Sequence, residues 1–148
     1  MRILLQRCRS ASVTVGGEVV GSIGPGIVAL VGTTHGDTPA IATRLAERLA
    51  GYRIFPDADG RTNCSVRDVG GAVLVVSQFT LYANTRKGAR PSFTRAGPPD
   101  EARALVDLVQ STLDGLGVPT AAGVFGADMQ VELVNDGPFT ILLEKDPE

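Results

Sequence analysis

The most apolar stretch of the chain is Val73-Leu74-Val75-Val76, which becomes polar at Ser77, Gln78 and Thr80. Four consecutive apolar residues are typical of a strand buried on both faces, because a half-exposed strand alternates apolar and polar positions. The polar residues follow where such a strand leaves the core. The pattern therefore predicts a central strand whose far end carries candidate functional side chains.

The N-terminal part of the chain has the pattern of three strands. Residues 2–15 form the first, and Gly16-Gly17 predicts a two-residue hairpin turn into the second strand at 18–20. Gly24-Pro25-Gly26 ends that strand. The continuous apolar run 27–31 is short and flanked by glycines, so it predicts a third, buried strand rather than a helix.

Two segments have helical periodicity instead. Thr38 is a plausible N-cap, and apolar residues recur every four positions from there to Gly51. A second helix is predicted from Pro99, with acidic residues in its first turn, and Gly115 or Gly117 ends it.

Short strands are also predicted at 52–55, 63–66, 121–125, 129–134 and 141–143. The long connection from Tyr82 to Pro99 has no regular pattern, and ordered loops of this length are usually functional. The elements together predict an α+β fold. We expect a single domain over residues 1–148, with two main helices and a curled, largely antiparallel or mixed, barrel-like sheet.

The cysteine content and the lengths of the apolar segments limit the classes of protein to which the chain could belong. The two cysteines, Cys8 and Cys64, are far apart, so neither a disulfide framework nor a zinc site is indicated. No apolar window has the length of a signal peptide core or a membrane span. We therefore expect a soluble, cytoplasmic protein.

Charge is distributed unevenly along the chain. The formal net charge is −2, yet residues 69–99 contain no acid and include Arg86, Lys87, Arg90 and Arg95. This segment is either an ordinary solvated loop or a phosphate-binding patch, and charge alone leaves both readings open.

The usual catalytic side chains are scarce. His35 is the only histidine, and a hydrolytic triad would require it to meet Ser77 or Thr80 without the support of a GxSxG motif. No metal-ligand spacing or phosphate-binding glycine loop occurs, so no metal or cofactor is predicted. If the chain is an enzyme, backbone groups, hydroxyls or the substrate itself must supply the chemistry.

Two motifs are Ser77-Gln78-Phe79-Thr80-Leu81 and Asn135-Asp136-Gly137-Pro138-Phe139-Thr140. Together they resemble the signatures of the D-aminoacyl-tRNA deacylases of the D-tyrosyl-tRNA deacylase type. Taken alone, the first could satisfy backbone groups at a strand end, and the second could be an ordinary turn between two strands. The resemblance continues through Gln6-Arg7, Ala11-Ser12-Val13, Ile23-Gly24-Pro25-Gly26, Arg53-Ile54-Phe55, Thr85-Arg86-Lys87-Gly88, Arg90-Pro91-Ser92-Phe93-Thr94 and Phe125-Gly126-Ala127-Asp128-Met129.

The resemblance implies a homodimeric hydrolase that cleaves the ester joining a D-amino acid to tRNA, and that also removes glycine from alanine tRNA. It implies that Gly137-Pro138 is a cis dipeptide which one subunit inserts into the active site of the other. The carbonyl groups of the dipeptide would crowd the place of an L side chain, so chirality would be judged by exclusion.

The resemblance also assigns roles to single residues. Ser77, Gln78, Phe79 and Thr80 would line the catalytic pocket, and the Phe79 and Thr80 N–H groups would stabilise the oxyanion. Either the Thr80 hydroxyl or the 2′-hydroxyl of the terminal adenosine would assist hydrolysis, and the lack of a base near Thr80 favours the substrate hydroxyl.

The remaining roles concern binding. Met129 would form the floor of the adenosine pocket, and Arg7 would brace the inserted dipeptide. Arg86, Lys87, Arg90 and Arg95 would contact acceptor-stem phosphates. The one departure is Phe139, where a smaller β-branched residue is expected, and this affects how the dipeptide packs. Two other hypotheses stay open, a non-catalytic RNA-binding domain of the same fold and a small-molecule esterase that uses Thr80 or Ser77.

Overall fold

The computed structural model describes all 148 residues of the chain. In chain order its elements are β1 (Arg2–Val15), β2 (Glu18–Ile23), β3 (Gly26–Gly32), α1 (Pro39–Gly51), β4 (Phe55–Pro56), β5 (Thr62–Cys64), β6 (Ala72–Ser77), a 3₁₀ turn (Phe79–Tyr82), α2 (Pro99–Gly115), β7 (Thr120–Ala122) and β8 (Gln130–Glu144).

The long strand β1 organises the main sheet. On one edge it pairs antiparallel with β3 along its first half and with β2 along its second half, and on the other edge it pairs with β8. β6 joins β3 in parallel, and β7 joins β6 in parallel. β7 then comes back into contact with β2 at Gly21 and Ala122. The mixed sheet is therefore curled and nearly closed, as the sequence predicts.

The two parallel strands at the centre of the sheet are buried on both faces. Val73 and Val75 of β6 belong to a large apolar cluster with both helices, whereas Leu74 and Val76 pack in a smaller cluster on the opposite face with Val13 of β1. Because neither face of β6 contacts water, its sequence is continuously apolar rather than alternating.

The helices form where the capping signals predict them. The Thr38 hydroxyl accepts a hydrogen bond from the Ile41 N–H at 3.3 Å, which caps α1, and Pro39 occupies its first turn. α2 begins at Pro99 with Asp100 and Glu101 in its first turn. No helix is both long and apolar enough to cross a membrane.

The predicted turn between the last two strands is a bulge inside one strand, β8. Asn135 lies opposite Cys8, and Thr140 lies opposite Gln6. Four residues of β8 therefore face a single residue of β1, Arg7. Both halves of β8 continue along the same edge of β1, so the turn signal marks a projection from the sheet instead of a reversal of the chain.

Three short strands and one turn also differ from the sequence prediction. The strands expected at 52–55 and 63–66 shrink to the two-residue β4 and three-residue β5, which form a separate small sheet. The strand expected at 121–125 is β7, which ends at Ala122. Phe79–Tyr82 form a 3₁₀ turn after β6, which the sequence pattern does not predict.

Candidate active site

One large cavity, of about 600 Å³, lies at the end of β6. Its walls come from the ends of β3 and β6, the long connection, the first turns of α2 and the segment that precedes β8. The lining residues are Val31, Thr33, Val76, Ser77, Gln78, Phe79, Phe93, Ala96, Gly97, Pro99, Ala102, Val106, Phe125, Gly126, Ala127, Met129 and Val131. The cavity is mainly apolar, and three residues of the first motif contribute to its wall.

The first motif forms a backbone corner at this cavity. The Gln78 N–H donates to the Val31 carbonyl at 2.7 Å, which ties the end of β6 to β3. The 3₁₀ turn then begins, and its first internal bond runs from the Leu81 N–H to the Gln78 carbonyl at 3.2 Å. The N–H groups of Phe79 and Thr80 precede that bond, so they have no acceptor within the turn. The corner therefore presents two adjacent backbone donors.

The Thr80 hydroxyl has no base beside it. It accepts a hydrogen bond from the Gln78 side-chain amide, its side chain is exposed, and it is not among the residues that line the cavity. His35 lies elsewhere, where its Nε2 is 2.9 Å from the Thr94 carbonyl oxygen. The structure therefore brings neither a triad nor a general base to Thr80.

Aromatic and thioether side chains shape the apolar part of the cavity. The Phe79 and Phe93 rings meet edge to face with centroids 5.2 Å apart, and both are partly exposed. Met129 lies on the cavity wall, and Gly123 leaves room for its sulfur because a Cβ there would overlap Sδ. These surfaces suit a flat, apolar ligand group.

The second motif lies outside the cavity of its own chain. Gly137 and Pro138 form the exposed tip of the β8 bulge, and the peptide bond between them is cis. Asn135 closes the base of the bulge, because its side-chain oxygen accepts from the Phe139 N–H at 2.6 Å and its amide donates to the Thr140 hydroxyl at 3.1 Å.

Arg7 anchors this bulge to the sheet. Its Nε donates to the Asp136 carbonyl at 3.0 Å and its Nη1 donates to the Ile54 carbonyl at 2.6 Å. Its guanidinium carbon also lies 4.7 Å from the centroid of the Phe139 ring. The phenyl group at position 139 therefore packs against Arg7, and this contact accounts for an aromatic residue in the motif.

The four basic residues of the acid-free segment are all exposed. None of Arg86, Lys87, Arg90 and Arg95 forms an ion pair. Arg95 lies closest to the core, with its guanidinium carbon 5.7 Å from the Tyr82 ring centroid. The segment therefore adds uncompensated positive charge beside the cavity.

The side chains of this chain do not favour metal or thiol chemistry at the site. No three His, Cys, Asp or Glu side chains are grouped so that they could hold a metal ion. Burial raises the pKa of the Cys8 thiol, which is only 2% exposed, so this group stays protonated and inaccessible. The polar groups that remain are backbone donors, hydroxyls and the Gln78 side-chain amide.

Sequence reasoning missed two residues that shape the site, Phe93 and Arg2. Phe93 is the one aromatic residue in an otherwise polar, basic stretch, and that contrast is a usable signal. Arg2 contacts the 3₁₀ turn from the start of β1, at a separation of 79 residues from its partner Leu81. No local pattern indicates a contact over that distance.

Comparison with known proteins agrees with this geometry. The sequence model of a family described as D-Tyr-tRNA(Tyr) deacylase matches residues 4–144. A D-aminoacyl-tRNA deacylase of Thermomicrobium roseum is 60% identical over 144 residues, which are 97% of this chain and 94% of the relative. One of Chloroflexus aurantiacus is 56% identical over 97% of this chain and 90% of its own length.

Two solved structures share the fold. One, described as "c-Myc DNA Unwinding Element Binding Protein", superposes with a TM-score of 0.93 at 38% identity and covers 99% of both chains. The other, a probable eukaryotic D-amino acid tRNA deacylase, has a TM-score of 0.84 at 18% identity and covers 96% of this chain and 97% of its own. With the extent of the family match and the identity of its relatives, the chain belongs to the D-Tyr-tRNA(Tyr) deacylase family.

Proposed function

We propose that this chain hydrolyses the ester bond of D-aminoacyl-tRNA at the cavity beside β6, releasing tRNA and the free D-amino acid. Its family and its relatives at 52–60% identity support this reaction. The observation that carries the proposal is the pair of N–H groups at Phe79 and Thr80, which have no acceptor within the 3₁₀ turn and lie next to the cavity-lining residues Gln78 and Phe79.

Those two N–H groups fit the charge that develops during ester hydrolysis. Attack of water on the ester carbon places negative charge on the carbonyl oxygen, and fixed backbone donors stabilise it without reorganisation. Removal of one such donor typically costs about 10²–10³-fold in rate. A site without an acid or a base can therefore still contribute a large part of the acceleration.

The remaining step is activation of the attacking water. Thr80 is a poor candidate, because its hydroxyl accepts from the Gln78 amide and no base lies beside it. The 2′-hydroxyl of the terminal adenosine is vicinal to the ester and enters the site with the substrate. We therefore assign assistance to the substrate, with Ser77, Gln78 and Phe79 lining its position.

We further propose that chirality is judged in a homodimer. Gly137 and Pro138 are exposed at the tip of the β8 bulge and away from their own cavity, so they are free to enter the cavity of a second copy of the chain. β8 is an edge strand that pairs only with β1, and Val131, Val134 and Leu142 expose apolar surface along it. Long apolar edges favour association.

In this arrangement the partner's dipeptide would exclude an L side chain, and Arg7 with Phe139 would hold the dipeptide in place. Because exclusion does not depend on contact with the D side chain, the site would accept many D-amino acids. Glycine has no side chain to exclude, so the same site would remove glycine from alanine tRNA.

The rest of the substrate would be held by the cavity wall and the basic segment. Met129 lies on the apolar wall where the adenosine would rest, and Arg86, Lys87, Arg90 and Arg95 would contact phosphates. Such contacts position tRNA without reading its sequence and weaken as salt rises. We place this activity in one domain over residues 1–148, in the cytoplasm where translation occurs.

The direct test is single-turnover hydrolysis of D-tyrosyl-tRNA and L-tyrosyl-tRNA, with a no-enzyme control for spontaneous loss of the ester. We expect rapid cleavage of the D ester and a rate at the control level for the L ester. Binding of the D ester without cleavage would favour a non-catalytic RNA-binding domain. Equal cleavage of both esters would contradict the exclusion mechanism.

Thr80→Ala separates the two routes of water activation. We expect this variant to keep the single-turnover rate within about threefold, because the Thr80 backbone N–H is retained and its hydroxyl has no base. D-tyrosyl-tRNA that carries a 2′-deoxy terminal adenosine is the matched substrate control, and we expect it to react slowly. Loss of all activity in Thr80→Ala with normal tRNA affinity would instead indicate direct nucleophilic attack by Thr80.

A further inference from the structure

We propose that Arg2 is a positioning residue for hydrolysis. It contacts the 3₁₀ turn on the side away from the cavity and fixes the position of the oxyanion donors that the turn carries. This inference rests on the proposed function, because it concerns the same two N–H groups. Arg2 does not line the cavity, so it acts on the reaction only through the turn.

Arg2 is bonded to the last part of the turn. Its Nη1 donates to the Leu81 carbonyl at 2.8 Å, and its Nε donates to Glu144 Oε2 at 3.2 Å. The final carbonyl groups of a helical turn lack N–H donors within it, and a cation there is favourable. Arg2 therefore links the turn to β1, where it sits, and to the end of β8.

The same guanidinium also packs on the next residue of the turn. Its carbon lies 4.6 Å from the Tyr82 ring centroid, and the Arg95 guanidinium carbon lies 5.7 Å from that ring. Tyr82 is fully buried, and its hydroxyl has no hydrogen-bond partner. Burial, with Asp37 nearby, raises the pKa of Tyr82 to about 12, so the ring stays neutral and attracts the two cations through its π face.

The backbone at this position is packed closely enough to transmit a displacement. A Cβ on Gly32, the β3 residue that pairs with Arg2, would lie 2.9 Å from the Leu81 Cβ and 2.9 Å from the Gln78 carbonyl oxygen. The turn therefore packs directly against the end of β3, and Arg2 makes a second, separate contact with it. Loss of the Arg2 bonds leaves Leu81 free to move.

A small movement of the turn matters because Thr80 is adjacent to Leu81 and Phe79 is two residues from it. Oxyanion donors act at 2.7–3.1 Å from the developing charge, and a misplacement of about 1 Å can cost about 10²-fold in rate. An ordinary structural cap would change only the stability of the fold. A positioning residue changes the rate of the chemical step in protein that remains folded.

The test compares Arg2→Met and Arg2→Lys with Arg44→Met, a matched control at an exposed arginine on α1 that has no ion pair. Tyr82→Leu and Tyr82→Phe form a second pair, in which only the first removes the ring. We measure the single-turnover rate with D-tyrosyl-tRNA, affinity for uncharged tRNA, the melting temperature and the amide chemical shifts of Phe79 and Thr80.

We expect Arg2→Met to lower the single-turnover rate by about 10- to 100-fold while tRNA affinity stays at the wild-type value and the folded fraction at the assay temperature is unchanged. The Phe79 and Thr80 amide signals should shift in the same variant. Arg2→Lys, which keeps a donor and a cation, should recover part of the rate. Tyr82→Phe should retain the rate, because the hydroxyl it removes is unpaired, whereas Tyr82→Leu should lose it.

A wild-type rate in Arg2→Met would overturn the proposal, as would a loss explained by weaker tRNA binding or by unfolding. If Arg2→Met does not fold, Arg2→Lys and the Tyr82 pair decide the question by the same criteria. Absence of hydrolysis by the wild-type chain would overturn the proposed function, whereas the amide shifts would still report whether Arg2 positions the turn.

Discussion

Replacing Phe79 with proline is expected to slow D-tyrosyl-tRNA hydrolysis by about 10²–10³-fold, the usual effect of removing one oxyanion donor. Proline has no N–H, and its fixed φ suits the first position of a helical turn. Gln78, which precedes it, has φ −144° and ψ 79°, outside the α region that a following proline disfavours. The substitution therefore removes the donor with little change to the backbone.

Phe79→Ala is the matched control, because it loses the ring and keeps the N–H. We expect it to retain most of the single-turnover rate at saturating enzyme, with any loss confined to substrate affinity. Comparable rates for the proline and alanine variants would show that the Phe79 N–H does not stabilise the transition state.

Gly26→Ala is expected to destabilise the fold by about 3 kcal/mol, the upper part of the range for overpacking a core. Gly26 of β3 lies opposite Ala72 of β6, and a Cβ at this glycine would overlap the Ala72 carbonyl oxygen. The overlap involves main chain on both sides, so rotation of a side chain cannot relieve it. Thermal unfolding should show a fall in melting temperature on the order of 10 °C.

The matched control for this change lies two residues earlier. A Cβ on Gly24 would meet no atom within 4 Å, so Gly24→Ala should unfold near the wild-type temperature. A similar melting temperature for both alanine variants would mean that β3 and β6 can separate without cost, contrary to the close pairing described above.

Much of the fold is predictable because its signals are local. The capping residue Thr38 and the glycine pair Gly16-Gly17 act through hydrogen bonds and backbone angles within a few residues, and α1 and the first hairpin form where they indicate. The continuously apolar strands β3 and β6 are buried as predicted, because a strand with two covered faces has no position for a polar side chain.

The bulge in β8 could not be predicted in the same way. The Asn-Asp-Gly-Pro sequence specifies a change of direction, but it does not specify which strand the chain meets afterwards. The strand that the chain meets depends on pairing of residues 140–144 with residues 2–6 at the start of β1. The short strands β4 and β5 similarly depend on contacts with each other more than on propensity.

The candidate site likewise has some features that local sequence signals predict and others that depend on long-range contacts. The polar residues at and after the end of β6 indicated the position of the candidate site, and the resemblance supplied the roles that we propose for Phe79 and Thr80. The contact of Arg2 with the Leu81 carbonyl remained hidden, because nothing near Arg2 in the sequence distinguishes it from other surface arginines. Separation of Gly137 from the cavity of its own chain also follows only from the three-dimensional structure.

The pairing of β1 with β8 ties completion of the sheet to the order in which the chain is synthesised. Residues 2–15 leave the ribosome early, whereas residues 130–144 follow on the order of ten seconds later at typical rates of translation. During that interval one edge of β1 lacks its hydrogen-bonding partner and offers a template to other unfinished chains. The exposure of this edge ends only when residues 130–144 pair with β1.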